Sequence, residues 1–311
     1  MFRKVRRIGK QWAVNAYNAC FNRAYGQVLM LHRVGPKEPD RLPCLDELRV
    51  DVDRLQRFVD AKRADYDFVT LGEVYERISH PTKRVRPFIC FTLDDGYRDN
   101  LTEGLPFFEQ NAIPFAVFLT TDFINRHPAF NYPFIMERVV RDHDELWVDG
   151  QQYICQTIEQ KNAVFAQLKD KVLRLPYEGF EQSFETLFAN YVSDEKREDL
   201  TMDWDEVRQL VASPLCTIGS HTVTHCRLSN VPKEKLAHEL GESKRQIEEK
   251  LGKSCDYVSY PYGWTTDVNA EVFDAARQAG YKMGLVSHGG GIRKNDADLF
   301  GVKRIMFTEN E

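Results

Sequence analysis

No two cysteines of this chain stand in CxxC spacing, which sets aside the metal and redox motifs built on that spacing. The seven cysteines, Cys20, Cys44, Cys90, Cys155, Cys216, Cys226 and Cys255, are odd in number and scattered. Several lie in apolar runs, as in Phe88-Ile89-Cys90-Phe91. They read as reduced packing residues of a cytosolic protein, not as a disulfide framework. Positive charge is not in excess either. The formal net charge is -5, which argues against nucleic acid as the main partner. No apolar run approaches the length needed to span a bilayer. The N-terminus lacks an uninterrupted apolar core and a small-residue cleavage site, so no signal peptide is expected and the expected location is cytoplasmic.

The N-terminus instead carries Phe2, Val5, Ile8 and Trp12 at helical spacing among Arg3, Lys4, Arg6, Arg7 and Lys10. This predicts a basic amphipathic helix within residues 1–26. Its residues 2–21 can lie on an anionic membrane surface, placing the protein peripherally at the inner membrane face, or pack on the body with a solvated basic face.

From residue 27 onward short apolar runs alternate with helical patterns. Strands are expected at Gln27–Leu31, Phe68–Val69, Phe88–Leu93, Phe115–Leu119, Leu215–Ile218, Tyr257–Tyr260 and Tyr281–Val286. Helices are expected between them, over Val52–Ala61, after the N-cap Thr70, over Arg98–Gln110, after Asp203 and Glu206 in capping-box spacing, over Lys233–Leu251 with Gly252 as C-cap, and over Asn269–Ala279. Such alternation implies a parallel sheet, open or closed into a barrel, whose site lies at the C-terminal rim of the strands. Residues 125–200 break the rhythm. They read as a helical insertion, either a lid or substrate wall or a decorative subdomain.

Four segments carry chemistry, each at a strand end. In Thr92-Leu93-Asp94-Asp95-Gly96, two adjacent carboxylates are costly to bury unless something neutralises them, and a divalent metal would. Asp-Asp-Gly alone also fits an ordinary turn. His221-Thr222-Val223-Thr224-His225 places two imidazoles four apart, able to converge on one ion, in a chain with only eight histidines. Asp95, His221 and His225 together make a two-His, one-carboxylate set with open positions, leaving Asp94 to take a proton from a water. Ser259-Tyr260-Pro261-Tyr262-Gly263 reads as a rigid turn whose Tyr262 N–H can face an oxyanion. His32, after the apolar run Val28–Leu31, is either a general acid or a satisfied core histidine.

These residues resemble the polysaccharide deacetylases with the NodB-homology domain. Thr92–Gly96 is similar to that family's TFDDG motif with Leu for Phe. His221–His225 is similar to its H-[ST]-x-x-H motif, and Tyr260–Gly263 to its third motif. The resemblance covers roughly residues 27–124 and 201–306. It implies an α/β fold, a distorted (β/α)7 barrel spanning residues 27–311 and interrupted by the insertion. It also implies hydrolysis of an N-acetyl or, less often, an O-acetyl group. Asp94 then matches the catalytic base, Asp95, His221 and His225 the metal ligands, and Tyr262 the oxyanion support. There are departures. The Arg that opens the third motif is replaced by Ser259, so another cation, with Arg304 a candidate, would tune the base. The usual fourth and fifth motifs are missing from the C-terminal part. Val28–His32 is similar to the fifth motif moved to the N-terminus, as in circularly permuted members, which makes His32 the implied general acid and His288 its rival.

The expected activity is removal of an acetyl group from an N-acetylated saccharide of a cell-surface polysaccharide or its lipid-linked precursor. Zn2+ is the expected metal, with Co2+ and Ni2+ also suited to the ligand set. The competing readings are an O-acetyl esterase or non-sugar amidase on the same site, and an inactive glycan-binding barrel.

Overall fold

The computed structural model describes residues 25–37, 42–43, 48–81, 86–126, 132–191, 200–293 and 296–308. The amphipathic segment at residues 2–21 lies outside the described residues. No helix among the described residues is long and apolar enough to cross a membrane.

Seven strands make the body: β1 (Gly26–Leu31), β2 (Phe88–Leu93), β3 (Phe115–Leu119), β4 (Cys216–Ser220), β5 (Tyr257–Ser259), β6 (Met283–Gly289) and β7 (Val302–Met306). They follow one another around a closed ring in chain order. Each pairs in parallel with the next, and β1 pairs with both β2 and β7 to shut it. The expected (β/α)7 barrel is therefore present. A two-residue strand, Asp67–Phe68, adds to the start of β2. The register of β6 against β7 shifts between Leu285 and Gly289.

Strands buried on both faces read as continuous apolar runs, and β2 (FICFTL) and β3 (FAVFL) are buried at every position. The period of two sorts their side chains into two layers. Val28, Phe88, Cys90, Phe118, Met283, Leu285 and Val302 fill one cluster. Leu29, Ile89, Phe91, Val117 and Ile218 join a second cluster with helix residues such as Phe108, Leu210, Leu240 and Val272. We read the first as the barrel interior and the second as the layer beneath the helices. The interior phase includes Ser259, Ser287 and Arg304 within their strands and, carried one step past the ends of β1 and β2, reaches His32 and Asp94. This periodicity brings the site together.

The helices start where short polar side chains can take orphan N–H groups. Thr70 with Glu73 and Asp203 with Glu206 form reciprocal capping boxes, each cap worth about 1 kcal/mol. The helix Lys233–Leu251 ends on Gly252 in the left-handed region, φ 63°. The expected helix from Arg98 begins instead as a π-helical turn, Asn100–Gly104, before Leu105–Asn111.

The insertion has a core of its own, in which Tyr132, Met136, Val140, Leu168, Phe184 and Phe188 are buried together. Three of its helices are Tyr132–Asp142, Ile158–Val172 and Phe180–Phe188. It is not wholly helical. Glu145–Val148 and Gln151–Ile154 form an antiparallel hairpin. Its loop is Asp149-Gly150, both at positive φ, the chemistry of a two-residue type I′ turn. Asp149-Gly150 is a local hairpin signal that an all-helical reading of the insertion leaves out.

Candidate active site

The paired register of Leu31 with Leu93 sets His32 beside Asp94 at the barrel mouth. Asp94 is buried with 2% of its side chain exposed, and an isolated carboxylate there would be strongly disfavoured. Arg304, from β7, meets it with two parallel bonds, Nη1 to Oδ1 and Nη2 to Oδ2, both 2.8 Å. The guanidinium also donates to the Val286 carbonyl, Thr92 Oγ1 and Ser259 Oγ. Burial pushes the Asp94 carboxyl up, but Arg304, with His221 and His32, outweighs it and holds the group below the usual carboxylate value. Ser259 Oγ adds a bond to Asp94 Oδ2 at 3.2 Å. A carboxylate offers about four lone-pair sites. These three donors leave one open on Oδ1. The cation missing from the third motif is thus supplied from the last strand, and Ser259 occupies little volume beside it.

Asp95 turns away from Asp94 because its backbone enters the left-handed region, φ 76°, followed by Gly96 at φ 80°. A Cβ at residue 96 would stand 2.9 Å from both Leu119 and Ile124 side chains, so the turn requires glycine. The Asp95 Oδ1 atom lies 3.4 Å from His221 Nε2 and 3.2 Å from His225 Nε2. It is buried without a hydrogen-bond partner. His221 Nδ1 donates to the Ser259 carbonyl at 2.7 Å, which fixes the tautomer and leaves the Nε2 lone pair facing Asp95. Burial drives the His221 pKa down to about 4, so the ring is neutral, as a ligand must be. One ligand atom from each of Asp95, His221 and His225 lies within 4.8 Å of the others. The donor chemistry and the orphaned carboxylate oxygen fit a divalent cation. Burial, followed by the nearby Asp95 charge, pushes the Tyr97 phenol well up.

The loop between the two histidines is strained, with Thr222 at φ 69° and His225 at φ 57°. Glu239, fully buried on helix Lys233–Leu251, holds it. Its Oε2 accepts the Val223 and Thr224 N–H groups at 2.9 and 3.0 Å, and its Oε1 accepts Thr224 Oγ1 at 2.8 Å and the Tyr177 hydroxyl at 2.7 Å. Glu and Lys recur at i,i+4 along this helix, the ordinary pattern of a solvated face. One of its glutamates is the anchor of the histidine loop, and only its phase on the buried side, shared with Leu236, Leu240 and Ser243, could have marked it.

Tyr262, φ 61°, and Gly263, φ 62°, form a second left-handed turn, in which the Gly263 carbonyl accepts from Ser287 N. No acceptor among the described residues takes the Tyr262 N–H. The Tyr262 ring packs edge-on to His225, with centroids 4.9 Å apart. Its hydroxyl bonds that of Tyr132 from the insertion. His32 Nδ1 is buried with no hydrogen-bond partner, and the ring sits close enough to act electrostatically on both Asp94 and Asp95. His288, the rival general acid, lies in strand β6 although Gly289 and Gly290 follow it directly. Its Nδ1 is engaged by the Gly263 carbonyl at 2.7 Å and its ring stacks on Trp264.

Beside His225 a cavity of about 360 Å³ opens between the insertion and the histidine loop. Tyr132 and Tyr177 line it, and each turns its hydroxyl onto the machinery just described. Neither stood out in the sequence, since a lone aromatic in a helix, as Tyr132, or in a connecting loop, as Tyr177, reads as ordinary packing.

No curated protein matches the sequence. Among solved structures, the chain is similar to the deacetylase PplD of Streptococcus pyogenes, at 16% identity and TM-score 0.59, covering 91% of this chain and 92% of that one. It is similar to IcaB from Ammonifex degensii, at 17% identity and TM-score 0.58, covering 93% and 94%. It is also similar to a de-N-acetylase from Aggregatibacter actinomycetemcomitans, at 15% and 0.57, covering 92% and 96%. At these identities the likeness is one of fold. The sequence itself matches the polysaccharide deacetylase family over residues 82–284, more than half of its length, and the chain belongs to that family.

Proposed function

We propose that the chain is a metal-dependent deacetylase that removes acetate from an N-acetylated sugar of a cell-surface polysaccharide or its lipid-linked precursor. The observation that carries this reading is the pairing of two buried carboxylates with opposite surroundings. Asp94 is bonded to a guanidinium and kept anionic, while the adjacent Asp95 converges on two imidazoles.

A divalent ion on Asp95, His221 and His225, with Zn2+ the best match and Co2+ or Ni2+ also suited, would polarise an acetyl carbonyl and acidify a water. The chain's own groups do the rest. Asp94 Oδ1, with its free lone pair, removes the proton from the attacking water. The Tyr262 N–H donates to the oxygen that becomes negative. His32 protonates the departing amine, so acetate and a free amino sugar leave. Arg304 keeps Asp94 ionised, and Ser259 serves both sides, its hydroxyl on Asp94 and its carbonyl on His221.

Asp94→Asn tests this reading. With bound metal measured by elemental analysis, the variant should keep about one ion per chain and lose acetate release. Turnover retained in Asp94→Asn would overturn the assignment of the base. Acetate released only from O-acetyl sugars would replace the amide by an ester.

A further inference from the structure

We propose that the insertion builds a binding pocket for a negatively charged saccharide, so that the acetylated substrate carries a carboxylate or phosphate close to its acetamide. This rests on the deacetylase reading and narrows it to a substrate class.

The cavity of about 360 Å³ lies within the range of small-molecule sites, roughly 300–1,000 Å³, and can take a single sugar ring. It shares His225 and Tyr132 with the reaction centre, so a ring seated in it stands next to the reacting group. Tyr132, Tyr177 and Phe180 present aromatic surface to it, suited to the apolar face of a pyranose. Its charge is one-sided. Arg174, from the insertion, and Arg227, from the histidine loop, line it, and no carboxylate does among the described residues.

The acidic partners of these two arginines do not remove that asymmetry. Arg227 is tied through Nε to Asp267 at 2.8 Å. Asp267 is buried behind the cavity, where it also accepts the Trp264 N–H at 3.0 Å. The pair therefore fixes the arginine stem, and the guanidinium lies over the Tyr262 ring, 5.9 Å from its centroid. Arg174 pairs with Asp170 at 2.7 Å, with side chains 75% and 61% exposed. So exposed a pair is weak and screened, leaving this guanidinium able to turn toward a ligand. A planar fork of N–H donors matches carboxylate and phosphate oxygens two at a time. A neutral sugar would make no use of either charge.

The test uses the full chain loaded with zinc and deacetylated sugars as probes, because these cannot turn over. Methyl glucosaminide, glucosamine 1-phosphate and the methyl glycoside of 2-amino-2-deoxyglucuronic acid are titrated calorimetrically, with inorganic phosphate as a control for anions that bind the metal alone. At least one of the two acid-bearing amino sugars should bind about tenfold or more tightly than methyl glucosaminide, from which it differs in charge by the added phosphate or carboxylate, with a preference that shrinks as salt rises. The preference should collapse in Arg227→Gln and weaken in Arg174→Gln, whose exposed position leaves folding out of the question. The phosphate and carboxylate arms identify which anion the pocket takes. Equal affinity for methyl glucosaminide and both acid-bearing sugars overturns the proposal. So does a preference that survives in both arginine variants or is matched by inorganic phosphate, since the anion would then sit on the metal. Acetate release from methyl N-acetylglucosaminide is measured on the same sample. Release without an anion preference sinks the pocket and spares the deacetylase. An anion preference without release from any of the N-acetylated counterparts does the reverse.

Discussion

Arg304 and Asp94 are 210 residues apart in the chain and meet at the barrel mouth through two parallel 2.8 Å bonds. The pair is almost wholly shielded, with 0% and 2% of the side chains exposed. In such a place the attraction is strong and the cost of losing one partner is high. The arginine is also fully occupied, since it bonds Val286, Thr92 and Ser259 as well.

Arg304→Gln should therefore change the pH dependence as well as the stability. The Asp94 carboxyl is held below its unfolded value. The ion pair thus stabilises the fold above the unfolded pKa, and that contribution is lost as pH falls through the folded one. Without the guanidinium, the acid limb of the kcat/KM profile should rise by about 1 to 3 pH units. Denaturant unfolding at neutral pH should show a loss of about 3–5 kcal/mol. An acid limb that stays in place would remove Arg304 as the residue that tunes the base.

Glu239→Gln should weaken the metal site without touching a ligand. Glutamine turns an amide NH2 toward N–H donors that now meet a carboxylate oxygen, so the loop from Val223 to His225 loses part of its anchor. Metal affinity, read by competition with a chromophoric chelator, should fall about 10–100-fold, the usual scale for outer partners of a metal ligand. Tyr177→Phe removes one of the four bonds to Glu239 and should cost less. Unaltered affinity in Glu239→Gln would show that other contacts hold the loop.

Two glycine substitutions separate backbone strain from crowding. Gly150, at φ 72°, has nothing within 4 Å of a built Cβ, so Gly150→Ala should cost only the left-handed penalty, about 1–2 kcal/mol. Gly96, at φ 80°, would press its Cβ on Leu119 and Ile124 at 2.9 Å, and Gly96→Ala should cost more and disturb Asp95. Thermal unfolding of the two variants gives the comparison. Equal losses would mean that the barrel mouth yields freely to an added methyl group.

The metal-free protein should lose stability in a defined acid window. Burial holds His221 neutral, with its pKa lowered from 6.5 to about 4. The unfolded chain accepts that proton first, so stability falls as pH drops from 6.5 toward about 4, and this group adds no further loss below that. Denaturation of chelator-treated protein across the window should show the slope, and His221→Asn should flatten it. A wild-type profile with no slope there would contradict a buried neutral imidazole.

Much of the barrel is legible as local pattern. Phe88–Leu93, Phe115–Leu119 and Lys233–Leu251 were expected at the bounds observed. Doubly buried strands read as unbroken apolar runs, and a long helix with a glycine stop has unambiguous ends. Asp94, Asp95, His221 and His225 stand in short motifs, and the structure brings them together. Glu239, Tyr132 and Tyr177 were not legible. Each lies in a helix or loop of ordinary composition, and its role comes from a partner 15 to 130 residues away.

The sequence by itself determined which short motifs hold the candidate site residues and which strand ends present them, because side-chain period and turn chemistry are local properties of the chain. Closure of the ring was decided only by tertiary structure. It sets β1 against β7 and lets Arg304 reach Asp94 beside Ser259, where the family's usual arginine is missing. It also lays the insertion against the histidine loop, so that two tyrosines and two arginines line a cavity beside the Asp95, His221 and His225 cluster. Those contacts are long-range, and packing and charge complementarity select them after the local elements have formed.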